Sequence, residues 1–145
     1  MREILFRGKR INGGGWAEGS YIYAHKWGVD GSDGHLINNI YATVRTQVDP
    51  ETVGQFTGLV DRNGNRIFEG DIILFEDESP SNYEYHDCTE MRCGEIKYAD
   101  GQFYLTNRIA VEMYDLIYDE KLDGVIVGNI HDNPDLLERS NENAE

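Results

Sequence analysis

The stretch that most constrains the fold runs over residues 55–75 and contains the dipeptide Asn63-Gly64. Asn-Gly suits a two-residue β-hairpin turn, because both central positions of that turn need positive φ. Such a turn would set Asp61 opposite Arg66, so that opposite charges face each other across the two strands. The pattern therefore predicts a β-hairpin.

An unbroken apolar run follows this hairpin. Residues 72–75 read Ile-Ile-Leu-Phe and come directly after Glu69, Gly70 and Asp71. A run that is apolar on both faces predicts a strand covered on both sides, or one at a barrel corner. Gly70 would supply the bend before it, and the flanking carboxylates are interpreted as caps of the turn backbone.

Further turn and helix signals extend the pattern. Asp100-Gly101 predicts a second hairpin, with Ile96 and Leu105 on its core face. Asp49-Pro50 predicts a single helical turn. The spacing of apolar residues predicts a short helix over 108–118, although Ile109 and Val111 keep a strand possible, and residues 125–130 read as a buried strand. Asn133-Pro134 predicts a second short helix, with Asn as N-cap and Pro at the first helical position.

We therefore predict a mainly β fold: a small SH3-like or partly open barrel with added N-terminal strands and one or two short helices. A length of 145 residues suits one domain over 1–139, which could consist of two intimately packed subdomains, about 1–54 and 55–139. Residues 140–145 form a polar C-terminal tail. Residues 76–92 are predicted to be a long acidic connection.

Several ordered motifs resemble the YopX family of phage and prophage proteins. They are Gln-Phe-Thr-Gly-Leu at 55–59, Asp-Arg-Asn-Gly at 61–64, Ile-Phe-Glu-Gly-Asp-Ile-Ile at 67–73 and Val-Gly-Asn-Ile-His-Asp-Asn-Pro-Asp-Leu-Leu at 127–137. The opening Arg-Glu-Ile-Leu-Phe-Arg at 2–7 is similar to that of the family. The resemblance implies a mostly β fold, a bacterial or phage source and no established molecular activity. Within these motifs we assign structural roles to ten positions: Gly58, Asn63, Gly64, Glu69, Gly70, Asp71, Gly128, Asn129, Asn133 and Pro134.

The charge balance argues against a nucleic-acid-binding protein. The chain has 13 basic and 27 acidic residues and a net charge of −14, whereas phosphate backbones are bound by clustered Lys and Arg. One local basic strip (Arg2, Arg7, Lys9 and Arg10) is interpreted as the charged face of an edge strand. Without a bilayer-spanning apolar run, a signal-peptide pattern or a disulfide framework, we expect a cytoplasmic protein of a bacterial host, with no membrane partner.

No residue pattern predicts a catalytic, cofactor-binding or metal-binding site. His86, Cys88 and Cys93 lie close in sequence, but the second Cys or His pair of a structural zinc site is missing. Carboxylate pairs such as Asp132 with Asp135 are interpreted as turn caps. The sequence contains no nucleophile elbow, phosphate-binding loop or dinucleotide-binding glycine motif.

Aromatic residues offer the remaining candidate site. Trp16, Tyr21, Tyr23, Trp27 and Tyr41 could form an interaction surface, because aromatics are enriched at binding hot spots, or they could fill the core. We therefore predict a non-enzymatic phage or prophage protein that binds itself or a host protein, and expect a homo-oligomer. Two alternatives stay open: an acidic decoy of nucleic acid that binds a basic host protein, and a metal-dependent enzyme that uses carboxylates with His86 or His131.

Overall fold

The structure is a computed structural model that describes residues 3–39, 44–78, 89–107, 117–118 and 121–137. The chain divides into two compact units, Met1–Phe56 and Thr57–Glu145. In the described part no helix is long and apolar enough to cross a bilayer. The strands are β1 (Phe6–Lys9), β2 (Trp16–Ala24), β3 (Gly34–Asn39), β4 (Val44–Gln47), β5 (Gly54–Val60), β6 (Arg66–Phe68), β7 (Asp71–Glu78), β8 (Thr89–Ala99), β9 (Gln102–Leu105), β10 (Ile117–Tyr118), β11 (Lys121–Leu122) and β12 (Val125–Asn129).

The first unit is an antiparallel sheet. Its strands follow the order β4-β3-β2-β1, and the beginning of β5 pairs with β1. In the β2–β3 hairpin Tyr23 lies opposite His35 and Tyr21 lies opposite Ile37. The core beneath the sheet consists of Ala17, Ile37 and Val48, against which Phe6, Tyr21 and Val53 pack.

A single 3₁₀ turn, Pro50–Thr52, connects β4 to β5. Asp49 is its N-cap and accepts a hydrogen bond from the Glu51 N–H at 3.0 Å, which confirms the predicted helical turn. The Thr52 hydroxyl accepts from the Lys9 N–H at 2.8 Å. The turn is thereby joined to β1.

The second unit contains a four-stranded antiparallel sheet in the order β12-β7-β8-β9. Its other described strands pair as β6 with β5, β11 with β5 in parallel, and β10 with β11. The mainly β prediction is confirmed. The predicted barrel is not formed, because β12 and β9 lie at opposite edges of the sheet. The core of this unit consists of Ile67, Ile73, Phe75, Ile96, Leu105 and Leu122.

The apolar run after the first hairpin behaves as predicted. Ile72, Ile73 and Phe75 are buried in β7, whereas Leu74 is half-buried. The strand extends beyond this run, since its register with β8 continues to Glu78 opposite Thr89. The acidic connection predicted over 76–92 is therefore shorter, and its residues 79–88 lie outside the described residues.

The two predicted hairpins have different outcomes. Asp100 and Gly101 have φ values of 52° and 81°, and Ile96 lies opposite Leu105, which confirms the second hairpin and its register. At the first hairpin, the non-glycine residues with positive φ in the described part do not include Asn63. The two-residue turn type predicted there is wrong.

A three-residue turn closes the first hairpin instead. The Gly64 N–H donates to the Asp61 carbonyl at 3.0 Å, and the Asp61 N–H donates to the Asn65 carbonyl at 2.8 Å. Asp61 therefore lies across from Asn65 rather than from Arg66. Gly64, with φ of 85°, takes the left-handed position of the three-residue loop.

The C-terminal predictions are only partly met. Residues 135–137 are helical after Asn133-Pro134, but the Asn133 side chain accepts from the Asn129 N–H at 3.3 Å. Residues 117–118 form β10 rather than the end of a helix, and 108–116 lie outside the described residues. Strand β12 is half-buried rather than buried. The 140–145 tail also lies outside the described residues.

Candidate functional site

The strongest candidate site lies at the end of the β2–β3 hairpin. We call residues 23–33 the hairpin tip; it includes the last two residues of β2 and the connection to β3. It lies entirely in the first unit. Sequence analysis singled out Tyr23 and Trp27 in this segment.

Asp33 organises the hairpin tip. Its Oδ2 accepts a hydrogen bond from the Tyr23 hydroxyl at 2.5 Å, and its Oδ1 accepts from the Lys26 backbone N–H at 2.9 Å. The Oδ1 atom also lies 3.0 Å from Nδ1 of His25. One carboxylate thus joins the end of β2 to two residues of the connection, and Lys26 has a φ of 53°.

These contacts perturb two titrating groups. The hydrogen bond from Tyr23, followed by that from the Lys26 N–H, holds the pKa of Asp33 below its ordinary value. The hydrogen bond to Asp33 raises the pKa of Tyr23 above its ordinary value. Both shifts have the same main cause. The hydrogen bond forms between a charged Asp33 carboxylate and a protonated Tyr23 hydroxyl, so it stabilises these two forms. At neutral pH the tip therefore holds a charged Asp33 and a neutral Tyr23.

The rest of the connection is fixed by its own hydrogen bonds. Asp30 Oδ1 accepts from the Ser32 hydroxyl at 2.6 Å and from the Ser32 N–H at 3.0 Å. These bonds lower the pKa of Asp30. The Gly28 N–H donates to the Ser32 carbonyl at 2.9 Å, and the Gly31 N–H donates to the Gly28 carbonyl at 2.9 Å. Backbone and side-chain hydrogen bonds thus connect residues 28–32 of the tip to one another.

Aromatic packing supports the tip from the sheet side. The His35 ring lies 5.2 Å from the Tyr23 ring and 6.0 Å from the Tyr21 ring, measured between centroids. The Tyr21 hydroxyl is hydrogen-bonded to Nδ1 of His35. Trp27 packs over Gly34, where an added Cβ would lie 2.9 Å from the Trp27 Cβ.

Three apolar side chains of the tip are nonetheless exposed to solvent. Tyr23 is 54% exposed, Trp27 is 51% exposed and Val29 is fully exposed at 110%. Tyr23 lies on the same face as its cross-strand partner His35, whereas Trp27 packs over Gly34, whose side-chain position is on the opposite face, so the two rings are exposed on different faces of the hairpin. We call these three side chains the tip patch.

Charge is distributed unequally between the two units. Residues 1–56 contain six basic and six acidic side chains, whereas residues 57–145 contain seven basic and 21 acidic ones. The second unit therefore carries the whole net charge of −14. The tip patch belongs to a unit with no net charge.

The five aromatics predicted as one surface are only partly brought together. Tyr21 and Tyr23 share a strand face, but Trp16 has the opposite parity in β2, where alternate residues point to opposite faces. The Arg7 guanidinium lies 4.5 Å from the centroid of Trp16. Tyr41 lies outside the described residues.

Sequence reasoning missed three residues of this site, His25, Asp33 and His35. Residues 24–34 contain three Gly and two Asp, a composition typical of a loop that indicates no site. The β pairing itself could have placed His35 beside Tyr23, because cross-strand neighbours share a face. The role of Asp33 depends on the loop conformation and has no sequence signal.

Metal-binding and thiol chemistry find no support in the described part of the chain. No group of three or more His, Cys, Asp or Glu side chains there could hold a metal ion. His86 and Cys88 lie outside it. Cys93 is half-buried, and burial raises the pKa of its thiol, which disfavours the reactive thiolate.

Three of the predicted structural positions, Gly70, Asp71 and Asn129, form hydrogen bonds with the backbone of the second unit. The Gly70 carbonyl accepts from the Ile130 N–H at 2.9 Å, and the Gly70 N–H donates to the Ile96 carbonyl at 2.8 Å. Asp71 is buried and accepts from the Phe68 N–H at 2.7 Å. The Asn129 side chain accepts from the N–H groups of the next residues, 131 and 132, at 3.0 and 2.9 Å.

Fold and site together define a mainly β protein of two compact units with an exposed aromatic hairpin. The chain belongs to the YopX family: the profile of the YopX protein matches residues 7–138. It is also similar to the crystal structure of protein EF1440 from Enterococcus faecalis, with 25% sequence identity and a TM-score of 0.53. That match covers 94% of this chain and 99% of the other. A comparison with curated proteins found no match.

Proposed function

We propose that this protein is a non-enzymatic interaction module, made by a phage or prophage in the cytoplasm of its bacterial host, and that it binds another protein through the hairpin tip. The observation that carries the proposal is the exposure of Tyr23, Trp27 and Val29 at the hairpin tip, where Asp33 accepts hydrogen bonds from the Tyr23 hydroxyl and the Lys26 N–H. The similarity to a structure from a bacterium, Enterococcus faecalis, supports the bacterial setting.

The composition and rigidity of the patch suit protein binding. Tyr and Trp are enriched among the residues that contribute most to binding energy. Fixing them before binding lowers the entropy lost on association. The hydrogen bonds of Asp33 and Asp30 provide this preorganisation, because they involve both side chains and backbone of the connection.

Capture experiments with matched variants test the proposal. The wild-type protein and the variants Val29→Glu and Ile11→Glu would each be immobilised. Each would then be exposed to soluble wild-type protein, to test self-association, and to a bacterial host lysate, to test for a host partner. Ile11 is 58% exposed in the same unit, between β1 and β2, so its replacement adds the same charge outside the hairpin tip. We expect a bound protein that is lost with Val29→Glu and retained with Ile11→Glu. Equal capture by all three proteins, or none by the wild type, would contradict the proposal.

A second function is favoured by the concentration of charge in the second unit. With 21 acidic and seven basic residues, this unit could bind the nucleic-acid groove of a basic host protein as a decoy. Such binding would weaken steeply with added salt, whereas binding through the tip patch would not. Capture repeated at low and high salt separates the two functions.

Elemental analysis tests the non-enzymatic part of the proposal against the metal-dependent alternative. We expect the purified protein to contain no stoichiometric metal. One bound metal ion per chain, removed together with any hydrolytic activity by a chelator, would favour the alternative that uses His86 or His131.

A further inference from the structure

We propose that Asn12 is a site of spontaneous deamidation, in which the backbone nitrogen of Gly13 attacks the side-chain amide. The Asn-Gly dipeptide occurs twice in the chain, at 12–13 and at 63–64, and the fold promotes the reaction at the first pair while protecting the second. A modification of this kind goes beyond the proposed function, because neither pair belongs to the hairpin tip. Its only co-reactant is water.

The reaction exchanges the side-chain amide for a carboxylate. The Gly13 N–H gives up its proton and its nitrogen forms a bond to Cγ of Asn12; the bond from Cγ to Nδ2 then breaks, and this nitrogen takes up a proton and leaves as ammonia. Glycine suits the attacking position because it has no side chain to hinder the close approach of its backbone. Water opens the resulting succinimide ring at either carbonyl, giving aspartate or isoaspartate. Both products add a negative charge to the turn between β1 and β2.

The two Asn-Gly pairs occupy the same position in two similar turns. The Gly13 N–H donates to the carbonyl of Arg10, three residues before it. The Gly64 N–H donates in the same way to the carbonyl of Asp61. The two glycines have φ values of 81° and 85°, and both asparagines are exposed. A difference in their reactivity must therefore come from the hydrogen bonds and charges around each pair.

A hydrogen bond prepares the Asn12 side chain for attack. Its Oδ1 accepts from the Gly14 N–H at 3.0 Å, and the ring of atoms that this bond closes includes the Gly13 nitrogen. Negative charge develops on Oδ1 as Cγ becomes tetrahedral, and a donor already placed at that oxygen lowers the barrier. At the second pair, the N–H two residues after the asparagine is that of Asn65, and it donates to the Asp61 carboxylate at 2.8 Å.

The attacking nitrogen is also released more readily in the first turn. The Gly13 N–H donates across 3.3 Å, beyond the usual range for such bonds, whereas the Gly64 bond measures 3.0 Å. The Arg10 guanidinium lies beside the first pair, since its Nη1 donates to the Gly14 carbonyl at 2.8 Å. This positive charge favours the anion formed during attack, whereas the Asp61 carboxylate in the second turn opposes it.

Peptide mass spectrometry of the folded protein, incubated at mildly alkaline pH, measures both sites in one sample, because each deamidation changes the mass of its peptide. We expect Asn12 to deamidate at least about tenfold faster than Asn63, as a placed oxyanion donor predicts. The same chain unfolded in guanidinium chloride is the matched control. Both turns are lost there, so the ratio of the two rates should fall toward one.

The variant Arg10→Gln tests the contribution of charge, because it replaces the guanidinium by an uncharged amide. It should slow deamidation of Asn12 by at least about threefold and leave Asn63 unchanged as the internal reference, while circular dichroism checks that the variant is folded. An Asn12 rate that does not fall overturns the role of the guanidinium. The site assignment itself is overturned if Asn63 reacts as fast as Asn12 in the folded protein, or if folded and unfolded chains give the same ratio of rates.

Discussion

The carboxylate of Asp61 accepts a hydrogen bond of 3.0 Å from the backbone N–H of Ile126, a residue 65 positions away in the sequence. Asp61 is completely buried. It also accepts from the N–H groups of Asn63 and Asn65 at 3.0 and 2.8 Å. One side chain therefore closes the first hairpin turn and attaches it to β12.

Replacing Asp61 should strongly destabilise the second unit. In Asp61→Asn one acceptor oxygen becomes an NH₂ group, so at least one buried N–H loses its partner, and we expect a loss of about 2–4 kcal/mol. Urea unfolding monitored by circular dichroism measures this loss. Asp123→Asn is the matched control: Asp123 forms an exposed ion pair of 2.6 Å with Arg62, and its loss should cost less than about 1 kcal/mol. Equal effects of the two substitutions would contradict the role assigned to Asp61.

The contribution of Asp61 should depend on pH in a defined direction. Burial favours the protonated form, but the hydrogen bonds from Ile126, Asn65 and Asn63 outweigh it and hold the pKa of Asp61 below its ordinary value. A carboxyl whose pKa is lower in the folded state stabilises the fold above its unfolded pKa, about 3.9. That contribution is lost as the pH falls through the lower folded pKa. The stability difference between wild type and Asp61→Asn should thus be constant near neutral pH and shrink below about pH 4. A difference that already shrinks near neutral pH would contradict the assigned shift.

Two glycines should respond differently to an added methyl group. In Gly94→Ala the new Cβ would overlap the Thr106 carbonyl oxygen, so β8 and β9 must separate, and we expect a loss of at least about 3 kcal/mol. In Gly64→Ala nothing lies within 4 Å of the new Cβ, and only the φ of 85° opposes it, at a cost of about 1–2 kcal/mol. Thermal unfolding of both variants measures the difference. Similar losses would show that the β8–β9 contact is looser than the structure indicates.

The hydrogen bond between Tyr23 and Asp33 should be visible in carboxyl titrations. Removing the donor with Tyr23→Phe takes away the largest cause of the lowered Asp33 pKa, so this pKa should rise toward its ordinary value. Asp30 provides an internal control, because its lowered pKa depends on Ser32 and should not change. NMR titration of the side-chain carboxyl carbons measures both groups in one experiment. A shift of both pKa values, or of neither, would contradict the separate networks described for the tip.

Local turn chemistry predicted one hairpin fully and the other only in part. At Asp100-Gly101 both central residues have positive φ, and the two-residue turn and its register formed as predicted. At Asn63-Gly64 the Asp61 side chain accepts the Asn63 and Asn65 N–H groups and stabilises a longer turn. The sequence does contain a signal for this longer turn: Asp61 at its first position and Gly64 at its fourth are typical of a type I turn.

The candidate site was harder to predict from the sequence than the fold was. Aromatic composition indicated an interaction surface, but of the four predicted residues that the structure describes only Tyr21 and Tyr23 share a strand face, as strand parity alone could have shown for Trp16. The position of Trp27 depends on a connection held by Asp33. Side-chain contacts of that kind follow from the folded loop and leave no periodic pattern to detect.

The bond between Asp61 and Ile126 also constrains how the family can vary. Its acceptor is a side chain, whereas its donor is a backbone N–H that every amino acid except proline provides. Among relatives that keep this contact, position 61 should retain a carboxylate while position 126 changes freely among non-proline residues. The two positions should therefore show no covariation, although they touch, and a search for coupled substitutions would overlook one of the contacts on which the second unit depends.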